Sequence, residues 1–152
     1  YQRMAPEEVY ELVKGQIIEI QEKIKENGWK CKLAPETTGK PSQFGSVEEL
    51  MRLHKETGCH VCVDFAHLKA RSQGNVDFNE IIEQVKELGH IHSHFSGIEW
   101  GEKGEKRHLL LEKDVIRPLA KAVSNNDLDI TIICESPRPI DDAVKIMEVF
   151  NE

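Results

Sequence analysis

The chain has 152 residues, 39% apolar and 31% charged, and its 27 acidic and 20 basic side chains leave a net charge of −7 at pH 7. That length allows one ordinary domain with a real core, and no run is apolar enough for a membrane span or a signal peptide. The acidic balance excludes a protein that coats nucleic acid through excess positive charge, although not an enzyme whose basic residues gather at one site.

The elements read as follows. Pro6 near a start and Gly28 past an end bracket a first helix, with Val9, Leu12, Val13, Ile17, Ile20 and Ile24 at helical spacing. A strand-like run, WKCKLAPE, follows. Ser46 and Glu49 form a capping-box pattern that opens the helix SVEELMRLHKET, closed by Gly58. Then come the strand HVCVDF, the turn DFAH, and a helix capped by Asp77 with Glu80 and closed by Gly89. The strand HIHSHF leads into a glycine-rich, charged loop through residue 108. A helix around KDVIRPLAKAV, the strand DITIICE and the helix IDDAVKIMEVF complete the chain.

One helix followed by four strand–helix units implies an α/β fold of parallel strands with helical crossovers. Four strands cannot close a barrel, and an open four-stranded parallel sheet leaves two bare edges. The chain also opens on a tyrosine and directly on a helix. The expected architecture for residues 1–152 is therefore one domain, the carboxyl-terminal half of a TIM barrel. Its missing amino-terminal half, or self-association at the bare edges, would cover them. A self-contained doubly wound domain is the alternative.

In such folds function sits at the carboxyl ends of the strands. The last polar residues of the four strands are Glu36, Asp64, His94 and Glu135. Any one of the acids could cap a helix. Together, three carboxylates in a small volume repel and call for a cation, and an imidazole among them suits zinc, manganese or iron better than magnesium or calcium. His90, His92 and His94 share one strand face, with His94 or His92 nearest the mouth and His90 a structural histidine. His67, three residues after Asp64, can reach the same cavity from the rim. His54 reads as solvated and His60 as a core or supporting group.

The cysteines are Cys31, Cys59, Cys62 and Cys134, expected as reduced thiols in a cytoplasmic protein. CHVC resembles half a zinc ribbon, but residues three apart on a strand point to opposite faces. Cys31 and Cys134 lie in apolar runs and read as core side chains.

The motifs LAPETTGKPSQFG, CVDFAH, HSHFSG, EKRH and ICESPRP, in this order from about residue 5 to 148, resemble the archaeal-type branch of the endonuclease IV family of apurinic/apyrimidinic endonucleases. That family belongs to the xylose-isomerase-like TIM barrels. The resemblance implies a DNA-repair endodeoxyribonuclease that hydrolyses the phosphodiester 5′ to an abasic site through metal-activated hydroxide, with two or three zinc ions in an intact barrel and abasic duplex DNA as partner. It implies metal ligands at Glu36, bridging two ions, at Asp64 and His67, at His94 with His92 less certain, at His108, and at Glu135 beside the attacking hydroxide. Glu36 and Glu135 would be the catalytic carboxylates. Where the family often has an aspartate two residues before the matched histidine, this chain has Lys106, so Glu105 would have to replace it. The family also takes two histidine ligands from strands upstream of this chain.

The residue reading agrees, because phosphodiester hydrolysis needs a nucleophilic hydroxide and charge neutralisation, and clustered divalent metals provide both. Lys40, Gln43, Lys69, Arg71, Lys106 and Arg107 follow the strand ends and are candidate DNA contacts, with PSQF at 41–44 probing the minor groove. A rival reading is a xylose-isomerase-like sugar isomerase or epimerase, in which Glu36, Asp64, His94 and Glu135 hold one divalent metal. A third is a binding module without nuclease activity.

Overall fold

The structure, a computed structural model, describes residue 1 and residues 3–152. In chain order it contains α1 (Pro6–Glu26), α2 (Val47–Thr57), β1 (Cys62–Asp64), α3 (Phe65–Arg71), α4 (Phe78–Val85), β2 (His90–Phe95), β3 (Gly97–Gly101), β4 (Gly104–Leu109), α5 (Lys113–Asn126), β5 (Asp129–Cys134) and α6 (Pro139–Phe150). No helix among the described residues is long and apolar enough to cross a membrane.

The helix ends follow the sequence signals. Pro6 occupies the first helical position of α1, where its missing N–H costs nothing. At α2, Ser46 Oγ accepts from Glu49 N at 3.2 Å while the Glu49 carboxylate accepts from Ser46 N at 2.9 Å, the reciprocal capping box. Gly58 then closes α2 in the left-handed conformation, donating to His54 O at 2.8 Å. At α4 only half of the expected box forms: Asp77 accepts from Asn79 N at 2.8 Å. Only Tyr10 and Ile17 of α1 are buried, and Leu12, Ile18 and Ile20 stay exposed. α1 rests on α2, with the Arg52 guanidinium 3.7 Å from the Tyr10 ring centroid.

Three strands, rather than the four expected, form the parallel sheet, in the order β1-β2-β5, and no barrel closes among the described residues. The run expected as a first strand instead follows the β1 edge through a single bridge, Glu36 with Cys62. The cause is Pro35. His60 N donates to Leu33 O at 2.8 Å, Cys62 N to Pro35 O at 2.9 Å and Thr37 N to Cys62 O at 3.0 Å. The rung that would complete the next bridge requires an N–H at residue 35, which proline lacks. Cys31, in the part of this run ahead of the hydrogen bonds that start at Leu33, is exposed and not a core thiol, whereas Cys134 is half-buried.

Strand alternation divides the sheet. Val63, Ile91, Ser93 and Phe95 are buried on the face that meets the helices. Cys62 pairs in register with His92, and Asp64 with His94, on the opposite face. After β2 the charged, glycine-rich text read as a loop is an antiparallel hairpin, β3 with β4. It docks on the loop after Glu36, where Glu105 N donates to Gly39 O at 3.0 Å. Gly104 is required there, since a Cβ on it would lie 2.3 Å from Gly39 O and its φ is +93°.

Asp142, at the start of α6, is a buried charge with two partners. It accepts from Leu111 N at 2.9 Å and from Lys145 Nζ at 2.8 Å, tying α6 to the segment before α5. Burial pushes its carboxyl up, but Lys145 and the Leu111 amide outweigh this and hold it below the ordinary aspartate value. Its stabilisation is therefore complete above the unfolded-state pKa of about 4 and is lost as pH falls through the lower folded value. Asp142→Ala should cost about 2–3 kcal/mol at pH 7 in urea unfolding, by stranding the Leu111 amide. The difference from wild type should shrink as the pH is lowered below about 4.

Candidate metal centre

The side chains at one end of the sheet are positioned by six separate pieces of secondary structure or adjoining backbone. Glu36 ends the segment beside β1, Asp64 ends β1, His67 lies in the first turn of α3, His94 is near the end of β2, His108 is near the end of β4, and Glu135 follows β5. The structure brings these six together. His67 Nδ1 is 3.2 Å from Glu36 Oε1 and 3.4 Å from Asp64 Oδ2. His94 Nδ1 is 3.3 Å from both Glu36 Oε1 and Glu135 Oε1. His108 Nδ1 is 4.0 Å from Glu135 Oε2. The ligand atoms fall into two groups that share Asp64: Glu36, Asp64, His94 and Glu135 in one, and Asp64, His67 and His108 in the other.

Asp64 caps a helix and also faces the ligand groups. Its Oδ1 caps α3 by accepting from His67 N at 2.8 Å, and its own N donates to Thr37 Oγ1 at 2.9 Å. Its Oδ2 is buried with no hydrogen-bond partner, although the residue is 0% exposed. A buried carboxylate oxygen left unpaired is costly, and burial accordingly raises the Asp64 pKa. Among the described residues, no lysine or arginine lies within ion-pair distance of Glu36, Asp64, Glu105 or Glu135; imidazoles alone face them.

The imidazoles point the same way. His67 Nδ1 faces Thr37 O at 2.9 Å, and His108 Nδ1 faces Glu135 O and Ser96 Oγ at 3.0 Å each. With Nδ1 turned to a backbone carbonyl, Nε2 is the nitrogen free to ligate. The two Nε2 atoms lie 3.3 Å apart. Two nitrogens bound to one tetrahedral zinc at about 2.0–2.1 Å are separated by about 3.3–3.4 Å. The donor set thus fits a divalent cation. Without one, burial lowers the His67 pKa but Glu36, Asp64 and the Thr37 carbonyl raise it further, to about 9. The His67 hydrogen bond in turn holds Glu36 below the usual glutamate range, against its burial.

A β-bulge makes the His108 contact possible. The β3–β4 register shifts between Glu99 and Trp100, so that Arg107 pairs with Glu99 and Glu105 with Trp100, leaving Lys106 as the extra residue. Lys106 and Arg107 both turn outward to Glu99, at 3.4 and 2.7 Å. Glu105 and His108, three apart, both turn inward to His67 Nε2, at 3.6 and 3.3 Å. Glu105 therefore stands where the sequence offered it as a substitute for the residue at Lys106.

Other candidates lie elsewhere. His92 groups with Cys62 and His94 rather than with the carboxylates. His90 is exposed and paired with Asp129 at 3.0 Å, His60 meets Lys32 at 3.0 Å, and His54 is half-buried against Cys59 O at 2.7 Å rather than solvated. Of the candidate DNA contacts, Arg71 is engaged by the loop itself: its Nη1 donates to Lys40 O at 2.7 Å and Gln43 O at 3.1 Å. Lys69 Nζ lies 5.7 Å from the Trp100 ring centroid. Gln43 is exposed at the loop tip and Lys40 is half-buried. Sequence reasoning missed Thr37 and Ser96, the buried polar residues that orient Asp64 and His108. Neither carries a signal beyond adjacency to a ligand.

Parallel strands with a ligand cluster at their carboxyl ends define a class of α/β barrel proteins, and the comparisons agree. Residues 2–152 match the model of the xylose isomerase-like TIM barrel family, and the chain belongs to that family. It is 37% identical over 164 residues to the uncharacterized protein MJ0133 of Methanocaldococcus jannaschii, covering all of this chain and 60% of that protein. The chain thus spans less than two thirds of this relative's length. The crystal structure of SacUVDE shares the fold, with a TM-score of 0.57 and 19% identity over 78% of this chain and 39% of that one.

Asp64→Asn keeps the helix cap and removes the buried charge. The metal-free variant should melt at or above the wild-type temperature. Zinc should raise the melting temperature of the wild type by clearly more than that of the variant, as read by differential scanning calorimetry with and without the ion.

Proposed function

We propose that the protein is a metal-dependent DNA-repair endonuclease of the endonuclease IV type that hydrolyses the phosphodiester 5′ to an abasic site. The observation that supports this over one-metal chemistry is the second ligand group, Asp64, His67 and His108, sharing Asp64 with the first. A sugar isomerase or epimerase of the same barrel family needs only Glu36, Asp64, His94 and Glu135, and that group by itself is what favours the second reading. It has no use for His67 and His108, with Nε2 atoms 3.3 Å apart.

Divalent ions held at these adjacent sites would supply charge neutralisation for a phosphodiester and a water acidic enough to give hydroxide near neutral pH. Glu36, Asp64, His67, His94, His108 and Glu135 would hold them, with Glu105 supporting His67, and zinc suits this mixture of carboxylate and imidazole. Glu135 and Glu36, 37% and 36% exposed, are both reached by solvent whereas Asp64 is buried, and Glu135, not held between His67 and His94 as Glu36 is, is the one assigned to proton transfer. It takes the proton of the attacking water. As the water oxygen bonds to phosphorus, the bond to the 3′ oxygen breaks, and that oxygen takes a proton from solvent and leaves as a 3′-hydroxyl, while Glu135 releases its proton to solvent. Glu36, between His67 and His94, keeps both rings aimed at the same volume. Lys106 and Arg107, on the outward side of β4, and Lys40 on the facing loop supply phosphate contacts at the rim. An abasic nucleotide lacks the stacking that holds a normal one in the duplex, so deformability marks the lesion.

The test incubates full-length protein with a duplex containing one tetrahydrofuran abasic analogue, with and without chelator. Metal-dependent incision on the 5′ side is expected, with two or three ions per chain by elemental analysis. About one ion and no incision under any metal condition would give the site to the isomerase reading. Glu135→Gln should lower the incision rate by about three orders of magnitude or more, as loss of a group acting in the transition state does, with little change in duplex affinity. A near-normal rate would remove Glu135 from proton transfer.

A further inference from the structure

Beneath the mouth, one register step deeper on the same sheet face, lies a ligand group that the proposed chemistry does not use. Cys62 on β1 pairs directly with His92 on β2, as Asp64 pairs with His94 above them. One ligand atom each from Cys62, His92 and His94 lie within 4.8 Å of one another. The His92 and His94 rings stand nearly perpendicular, their centroids 5.5 Å apart. Cys62 is 3% exposed, and among the described residues the half-buried His92 imidazole has no hydrogen-bond partner. With His94 Nδ1 facing Glu36 and Glu135, its Nε2 is the nitrogen left for this inner group.

We propose that Cys62, His92 and His94 form an inner thiolate–imidazole site for a zinc-like divalent cation, below the carboxylate-rich mouth. The chemistry separates the two sites. The mouth mixes carboxylate oxygens with imidazoles and holds no sulfur, whereas one sulfur and two nitrogens select borderline-soft ions and leave a fourth tetrahedral position open. The CHVC motif thereby gains a meaning different from a zinc ribbon. Cys59 is buried in the apolar core, and only Cys62 faces the histidines. His94 stands between the two sites: a neutral imidazole ligates one ion at a time, so with Nε2 on the inner ion its Nδ1–H donates to Glu36 and Glu135 and orients them. The inference does not depend on the mouth being a nuclease centre.

Cobalt(II) reports the site directly, because a thiolate ligand gives a near-ultraviolet charge-transfer band that oxygen and nitrogen ligands do not. Titration of chelator-stripped full-length protein should produce this band, saturating with about one cobalt and displaced by zinc but not by magnesium. Cys62→Ser should abolish it, while Cys31→Ser, which removes an exposed thiol, and Glu135→Gln, which disables the mouth, should retain it. Should Cys62→Ser fail to fold, His92→Gln keeps the thiol and should weaken cobalt uptake about tenfold or more. No thiolate band in the wild type, a band surviving in Cys62→Ser, or unchanged affinity in His92→Gln would overturn the inner site.

Discussion

The Asp64 carboxylate is the point on which this structure turns. It sits at the end of the β1 strand with no exposure, one oxygen capping α3 and the other without a hydrogen bond, 3.4 Å from His67 Nδ1. A buried anion in that state opposes folding unless something positive shares the space. What shares it are imidazoles from three different elements, with no lysine or arginine in ion-pair range among the described residues. The same residue that starts a helix thus creates a local deficit of positive charge, and the surrounding ligands have the chemistry to hold the ion that would correct it. The deficit costs stability in the metal-free protein, a cost functional sites commonly carry.

The arrangement reaches outward from Asp64 by backbone geometry. Parallel pairing puts His94 level with Asp64, and the single bridge at Cys62 puts Glu36 beside them. The hairpin closes the far side, held by the fit of Gly104 against the Gly39 carbonyl. Its bulge at Lys106 sets the phase of β4, so that His108 faces in and the basic side chains face out. Imidazole and carboxylate inside and cations outside therefore arise from one backbone irregularity, an arrangement that accords with the polyanionic substrate proposed.

Much of this was legible in the sequence, because strand alternation and helix caps are local. The alternation in HIHSHF placed His92 and His94 on one face, and the capping signals at Ser46 and Gly58 set the ends of α2. Residues at strand ends identified Glu36, Asp64, His94 and Glu135 as neighbours because a parallel sheet aligns them. What was not legible depends on non-local pairing. The loss of the first strand follows from one missing N–H at Pro35, which matters only once Cys62 and His60 lie alongside. The hairpin and its bulge were hidden in a glycine-rich, charged stretch, since neither alternation nor apolar content marks them. Arg71 read as a rim cation, but the carbonyls of the loop it organises come from residues thirty positions earlier.

Anomalous diffraction at the zinc edge from crystals grown with zinc tests the convergence of these ligands most directly. The account predicts a peak about 2.0–2.2 Å from His67 Nε2, His108 Nε2 and Asp64 Oδ2, accompanied by a second near Glu36, His94 and Glu135. A map without density between His67 and His108, or one showing those rings turned apart, would contradict it.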